Sequence, residues 1–323
     1  MSITNPVLYS TKRVVDRAKN VTINGEKLKK VAEEWAKMQV SPPAWPEDFH
    51  LRTKDVRQLL DYIIVLDSLN FCFWSENDED KWHIDYDGEK YSGYFALSLA
   101  LKRFFESYPK KATFEYLQNI TFAEFSQMLA GEGKLLFLKK RYEILSSVAK
   151  AMVEEYSGNS ERLVLSGSHL ASKFVPLVAK NLPSFNDEAE YDGKKVYFWK
   201  RAQILASDIH GATSGRGIGY FEDLDYLAAF ADYKLSQILN YWGILEYSPK
   251  LNEKIKDKVL IKAGSKEEVE IRSATVWAVE YLKEELERRG RRMRSFEIDW
   301  LLWNESKRVQ MTKPHHLTQT IFY

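Results

Sequence analysis

Asp232 sits in the run FEDLDYLAAFADYKLSQILNYWG, where Leu224, Leu227, Ala231, Leu235, Ile238 and Trp242 recur at helical spacing and trace one apolar stripe. Its helical neighbours Ala228, Ala229 and Leu235 are small or apolar. A carboxylate shielded from water in this way acts strongly on charge that develops at a reacting centre. A structural aspartate paired with a nearby lysine is the competing reading. Asp299 and Asn304 stand among Trp300, Leu301, Leu302 and Trp303 in EIDWLLWN. That mixture suits a heterocycle, whose faces stack on rings and whose edge bonds carboxylate or amide groups. An amphipathic helix with its tryptophans in the core would carry the same residues.

The tract LNFCFW is equally double: Phe71, Phe73 and Trp74 are either core or a stacking wall, with Asn70 as a polar fixing group. Lys200 and Arg201 open the helix WKRAQILASD, where backbone donors, the positive end of the dipole and cationic side chains together can hold a phosphate. A surface helix start explains them as well. The histidines His50, His83, His169, His210, His315 and His316 fall in no metal-ligand spacing, so no metal and no cofactor is expected. GRGIG at 215–219 lacks both the third glycine of a dinucleotide loop and a following Gly-Lys-Ser/Thr, and reads as a connector. The cluster Arg288, Arg289, Arg291, Arg292 and Arg294 reads as a solvated helix end rather than a phosphate site.

Mostly helical elements must position these groups. Leu28, Val31, Ala32 and Trp35, then Leu59, Tyr62, Ile63 and Leu66, carry helical periodicity. Further helices are expected near 93–107, 121–130, 135–156, 167–182, 199–210, 221–242, 268–289 and 295–308. Thr121 with Glu124 makes a capping-box start, and Gly290 a stop. Asp87-Gly88 between WHIDY and EKYSG is suited to a two-residue hairpin, and Tyr191-Asp192-Gly193 hints at a second. With no repeat, low-complexity stretch or long linker, one integrated domain over 1–323 is expected.

The 323 residues are 45% hydrophobic and 14% aromatic, enough apolar area for a sizeable core. A formal charge of +1 provides no global field for DNA or tRNA, so a small-molecule substrate is favoured over direct nucleic-acid binding. The start MSITNPVLYS has no leader pattern and no run approaches a membrane span. Cys72 is the sole cysteine, which excludes an internal disulfide and agrees with a reducing compartment; a cytoplasmic monomer is the expectation.

Taken together, DSLNFCFWSENDEDKWHIDYDGEKYSGYFAL, WKRAQILASD, FADYKLSQIL, EEVEIRSATVWAVE and HHLTQTIFY resemble the queuosine salvage protein family, in family order from residue 67 onward, with weaker likeness back to Asn5 and Pro6. The resemblance implies an α-helical fold similar to helix-hairpin-helix DNA glycosylases. It also implies metal-independent hydrolysis of queuosine 5'-phosphate to queuine and ribose 5-phosphate. Asp232, followed by Tyr233 in FADY, matches the family's catalytic carboxylate, Phe230 and Asp299 match positions lining the queuine pocket, and His50 matches a pocket histidine. Trp300 stands where relatives carry Tyr and Asn304 where they carry Asp, which exchanges an ionic contact for a neutral one.

Breaking an N-glycosidic bond leaves positive charge on the ribose ring, which a carboxylate stabilises or attacks. Under that resemblance the role falls to Asp232, with Lys200 and Arg201 as candidates for the 5'-phosphate. The rival readings are a non-catalytic queuine or nucleoside carrier using the same aromatic pocket, and a glycosylase acting on bases in nucleic acid.

Overall fold

Short polar residues write most helix starts in this chain. The side chains of Asn5, Asn24, Asp55, Thr121, Asn159, Asp232, Ser248 and Ser265 each accept a backbone N–H from the first turn that follows. Thr121 and Glu124 bond reciprocally, so the expected capping box is formed. Gly290, at φ +76°, follows the end of its helix in the left-handed conformation a stop requires.

The computed structural model describes residues 5–75 and 77–323; the first four residues, part of the stretch read for a leader, and Glu76 lie outside it. Among the described residues the chain is mainly helical, with fourteen α-helices and three two-stranded antiparallel sheets. The first helices are α1 (Pro6–Val15), α2 (Gly25–Lys37), α3 (Val56–Leu69), α4 (Tyr94–Ser107), α5 (Phe114–Leu117) and α6 (Phe122–Met128). Next come α7 (Leu138–Tyr156), α8 (Ser160–Ser166), α9 (Ala171–Asn181) and α10 (Lys200–Ala212). The last are α11 (Tyr233–Tyr241), α12 (Pro249–Lys256), α13 (Lys266–Arg288) and α14 (Ser295–Arg308). None of these helices is long and apolar enough to cross a membrane.

Helix α3 is the axis of the larger core. Every residue from Leu60 to Leu69 is buried, because α4, α7, α8 and α10 pack around it. Its periodicity alone suggests one buried face; Asp61, Asp67 and Ser68 are enclosed as well. A second core forms around α13, with α2, α11 and α14 against it.

Both expected hairpins are present. Strands β2 (His83–Tyr86) and β3 (Glu89–Ser92) meet through Asp87 and Gly88 at φ +50° and +82°. Strands β4 (Glu188–Tyr191) and β5 (Lys194–Tyr197) meet through Asp192 and Gly193 in the same way. The third sheet pairs β1 (Val21–Ile23) with β6 (Leu245–Tyr247) from distant parts of the chain, and periodicity gives no sign of it.

The stretch 221–242 corrects the sequence reading. A short 3-10 turn at Leu224–Tyr226 leads into non-helical chain through Asp232, and α11 begins only at Tyr233. Buried side chains take the backbone groups that a helix would use. Gln203 accepts the Ala228 N–H at 2.8 Å, Asp299 accepts the Phe230 N–H at 2.7 Å, and Arg272 donates to the Ala231 carbonyl at 3.4 Å. Leu224, Leu227 and Ala231 are buried, but as part of this strut.

Candidate active site

Ending the strut at Asp232 puts that residue at a helix N-cap. Its Oδ1 accepts the N–H groups of Lys234 at 2.8 Å and Leu235 at 2.9 Å, while Oδ2 lies 3.9 Å from the Lys200 ammonium. The aspartate-lysine pairing weighed as the bland reading is therefore present, and both partners face the same cavity. One oxygen is committed to the cap and the other is held beside a cation at a cavity wall.

Arg272 of α13 anchors this arrangement from behind. Its guanidinium binds Asp187 through both carboxylate oxygens, at 2.9 and 2.5 Å, with each side chain almost completely buried. Asp187 in turn accepts the Lys200 N–H at 3.2 Å at the start of α10. The same guanidinium lies 3.8 Å from the Phe198 ring and 4.5 Å from the Tyr323 ring. Strut, helix start and chain end are thus tied to one side chain.

The cavity measures about 1070 Å³. One wall is the tract Asn70, Phe71, Cys72, Phe73 and Trp74; another is Trp300, Trp303 and Asn304 of α14; Phe230, Tyr233 and Asp299 complete the region around Asp232. Arg141 of α7 braces the first wall, donating to the carbonyls of Leu69, Phe71 and Cys72 with its guanidinium carbon 4.1 Å from the centre of the Phe71 ring. A lysine ammonium cannot span that set of acceptors. Arg141→Lys is expected to lower the unfolding free energy by about 2 kcal/mol, read from the urea midpoint. A shift below about 0.5 kcal/mol would mean that the wall holds itself.

Buried charge dominates the electrostatics. Burial, with Asp232 close by, holds the Asp299 carboxyl above the usual carboxylate range, against the Phe230 N–H and Lys200. Burial lowers the Lys200 ammonium, and Asp232 and Asp299 oppose that shift. Further along α10, burial pushes Asp208 up to about 7 against Ser207, Tyr94 and Lys200. Asp67 on α3 is raised well above the usual range by burial, with Asp208 adding to it.

The other sequence-expected residues divide. Asn70, Phe71, Trp74, Lys200, Phe230, Tyr233, Asp299, Trp300 and Asn304 all line the cavity with Asp232. His50 lies one layer behind, fully buried, stacked on Trp45 at 4.2 Å, and driven by burial down to about 3. Arg201 is a correction. Neighbouring positions on a helix point about 100° apart, so Lys200 meets the cavity while Arg201 enters the core. There it donates to the Asp67, Ser68 and Ser184 carbonyls, out of reach of a phosphate in the cavity. The arginines at 288–294 and the 215–219 connector do not line the cavity.

Trp45, Tyr94, Asp208, Lys307, His315 and Tyr323 line it without having been singled out from sequence. For Asp208 the signal was available: Lys200, Ile204 and Asp208 follow at four-residue intervals on one helix face. Among the described residues no cluster of three or more His, Cys, Asp or Glu side chains could hold a metal ion.

Flat rings, carboxylates and a buried ammonium line one cavity, a chemistry that suits an aromatic ligand with polar edges. Comparison with known proteins makes the assignment specific: residues 49–323 match the queuosine salvage protein family, and the chain belongs to it. Over 319 residues it is 42% identical to a Sphaerobacter thermophilus protein named queuosine 5'-phosphate N-glycosylase/hydrolase, covering 98% of this chain and 97% of that protein. A Dictyostelium discoideum protein of the same name is 35% identical over 330 residues, 98% of each chain. One from Bos taurus is 31% identical over 332 residues, 97% of each.

Proposed function

We propose that this chain hydrolyses the N-glycosidic bond of queuosine 5'-phosphate, releasing queuine for reuse in tRNA modification. The observation that carries the reading is the Asp232 carboxylate, held by its own helix cap at the wall of a ring-lined cavity, in a chain similar from end to end to enzymes named for that reaction. As the bond breaks, positive charge grows on the ribose, and a fixed carboxylate stabilises it without having to reorganise. Phe71, Trp74, Trp300 and Phe230 supply flat faces for the base, Asp299 and Asn304 supply polar groups for its edge, and His50 backs Trp45.

Lys200 balances Asp232, and other lysines that line the cavity, among them Lys234 and Lys313, give the 5'-phosphate a cationic surrounding. Binding energy from that remote group can position the ribose over Asp232. The nucleoside without its phosphate is accordingly expected to show a kcat/KM about tenfold lower or less than the monophosphate. Equal turnover of the two would remove the phosphate from the reading.

We also propose one integrated domain of the helix-hairpin-helix glycosylase kind, in a cytoplasmic monomer; a single cooperative unfolding transition and a monomeric mass in solution test the domain and the oligomeric state. Incubation with queuosine 5'-phosphate in chelator, following free queuine by chromatography, tests the activity. Stoichiometric queuine binding with no release of ribose 5-phosphate would replace the reading with a carrier, and salt-sensitive polynucleotide binding with base release would replace it with a nucleic-acid glycosylase.

A further inference from the structure

Helix α10 carries two cavity-facing ionisable groups, Lys200 at its first position and Asp208 two turns later, with Ile204 between them. Eight residues of helix separate them by about 12 Å along the axis. Asp232 pairs with the Lys200 end. Asp232 and Asp208 thus both border the one cavity.

Asp208 is 5% exposed and belongs to a buried chain of contacts. Its Oδ2 is 3.4 Å from the Tyr94 hydroxyl, which is 3.4 Å from His50 Nε2; His50 Nδ1 is 3.0 Å from the Tyr62 hydroxyl, which is 3.1 Å from the Ser98 carbonyl. Tyr94 donates to Asp208 and Tyr62 donates to the Ser98 carbonyl, with the His50 ring between the two hydroxyls.

We propose that Asp208 is the proton donor to the base as it leaves, aimed by Tyr94. The inference rests on the reading of the chain as a queuosine 5'-phosphate hydrolase. Queuine is a 7-deazaguanine, with carbon where ordinary purines offer an imidazole-ring nitrogen for protonation, so a donor must act elsewhere on the base. The electron pair of the C1'–N bond departs with the base, and Asp208 transfers its proton to a ring nitrogen. The Tyr94 hydroxyl, which donates to Asp208 throughout, steadies the new carboxylate. The oxygen of water bonds C1', and the proton released from that water restores Asp208.

The groups around Asp208 agree with a protonated resting state. Asp67 and Tyr62 face it from α3, Tyr94 from α4, Asp299 from α14, and Ser207 and Lys200 from its own helix. Burial pushes its carboxyl up to about 7, and the Tyr94 hydroxyl, by bonding the carboxylate, pulls it the other way. Activity needs the neutral form, so it is lost as pH rises through that value.

The test is kcat/KM for queuosine 5'-phosphate across the pH range, with queuine affinity measured alongside, for wild type, Asp208→Asn and Tyr94→Phe. Wild type should fall off on the alkaline side. Asp208→Asn should lose about ten- to a hundredfold in turnover, show no alkaline fall, and keep its queuine affinity. Tyr94→Phe, which retains the acid but removes the hydroxyl that favours its carboxylate, should move the fall to higher pH. An unchanged alkaline fall in Asp208→Asn, loss of queuine binding in step with turnover, or an unmoved profile in Tyr94→Phe would overturn the proposal. Absence of queuine release by wild type would instead overturn the hydrolase reading beneath it.

Discussion

Asp232→Asn is expected to lower kcat by about a hundred- to a thousandfold while leaving queuine binding intact. The amide oxygen of asparagine can still accept the Lys234 and Leu235 N–H groups, so the cap, and with it the start of α11, survives the change. What disappears is the negative charge at the cavity wall. A ground-state base complex carries no positive charge on a sugar and should not register its absence; the transition state does. The measurement is single-turnover release of queuine together with queuine affinity. Turnover unchanged in a folded Asp232→Asn protein would remove Asp232 from the chemistry.

Arg272→Met should destabilise the protein by about 3–5 kcal/mol, because it leaves Asp187 buried without its cation. Asp187 is 2% exposed and cannot reach water without moving the start of α10. Met keeps much of the volume beside Phe198 and Tyr323, so the loss is electrostatic rather than a cavity. Adding Asp187→Asn should restore part of the stability, since the amide oxygen can still accept the Lys200 N–H while the stranded charge is gone. Urea unfolding of the single and double variants measures both statements. A cost below about 1 kcal/mol for Arg272→Met would show that Asp187 finds another partner.

Local chemistry decided which parts of this architecture were legible. The two Asp-Gly turns need little context, because the left-handed geometry of a tight hairpin admits few residues, and both are where the dipeptides stand. Helix α14 likewise follows its own period from Ser295 to Arg308. The strut before Asp232 was illegible, since its apolar spacing continues that of α11 and the side chains that hold it open are Gln203, Arg272 and Asp299. Arg141 and Asp67 are enclosed in the core and Asp208 is buried at the cavity wall, the opposite of what their types lead one to expect. Lys200 and Arg201 could not be separated by type, only by the direction each takes from the helix.

The small sheet joining β1 to β6 has a bearing on the order in which the protein folds. Val21 pairs with Tyr247, and nearby the Trp277 indole donates to Thr11 at 3.1 Å, so segments more than two hundred residues apart must meet before these contacts form. Closing so long a loop costs chain entropy that is recovered only afterwards, whereas capped helices gain their hydrogen bonds at once. Helices α3 and α10 can condense early with their local neighbours. The strut that ends at Asp232 takes its holding bonds from partners only 25, 41 and 69 residues away, so the carboxylate can be set in place before the two ends of the chain are joined, and the β1–β6 closure seals an arrangement already formed.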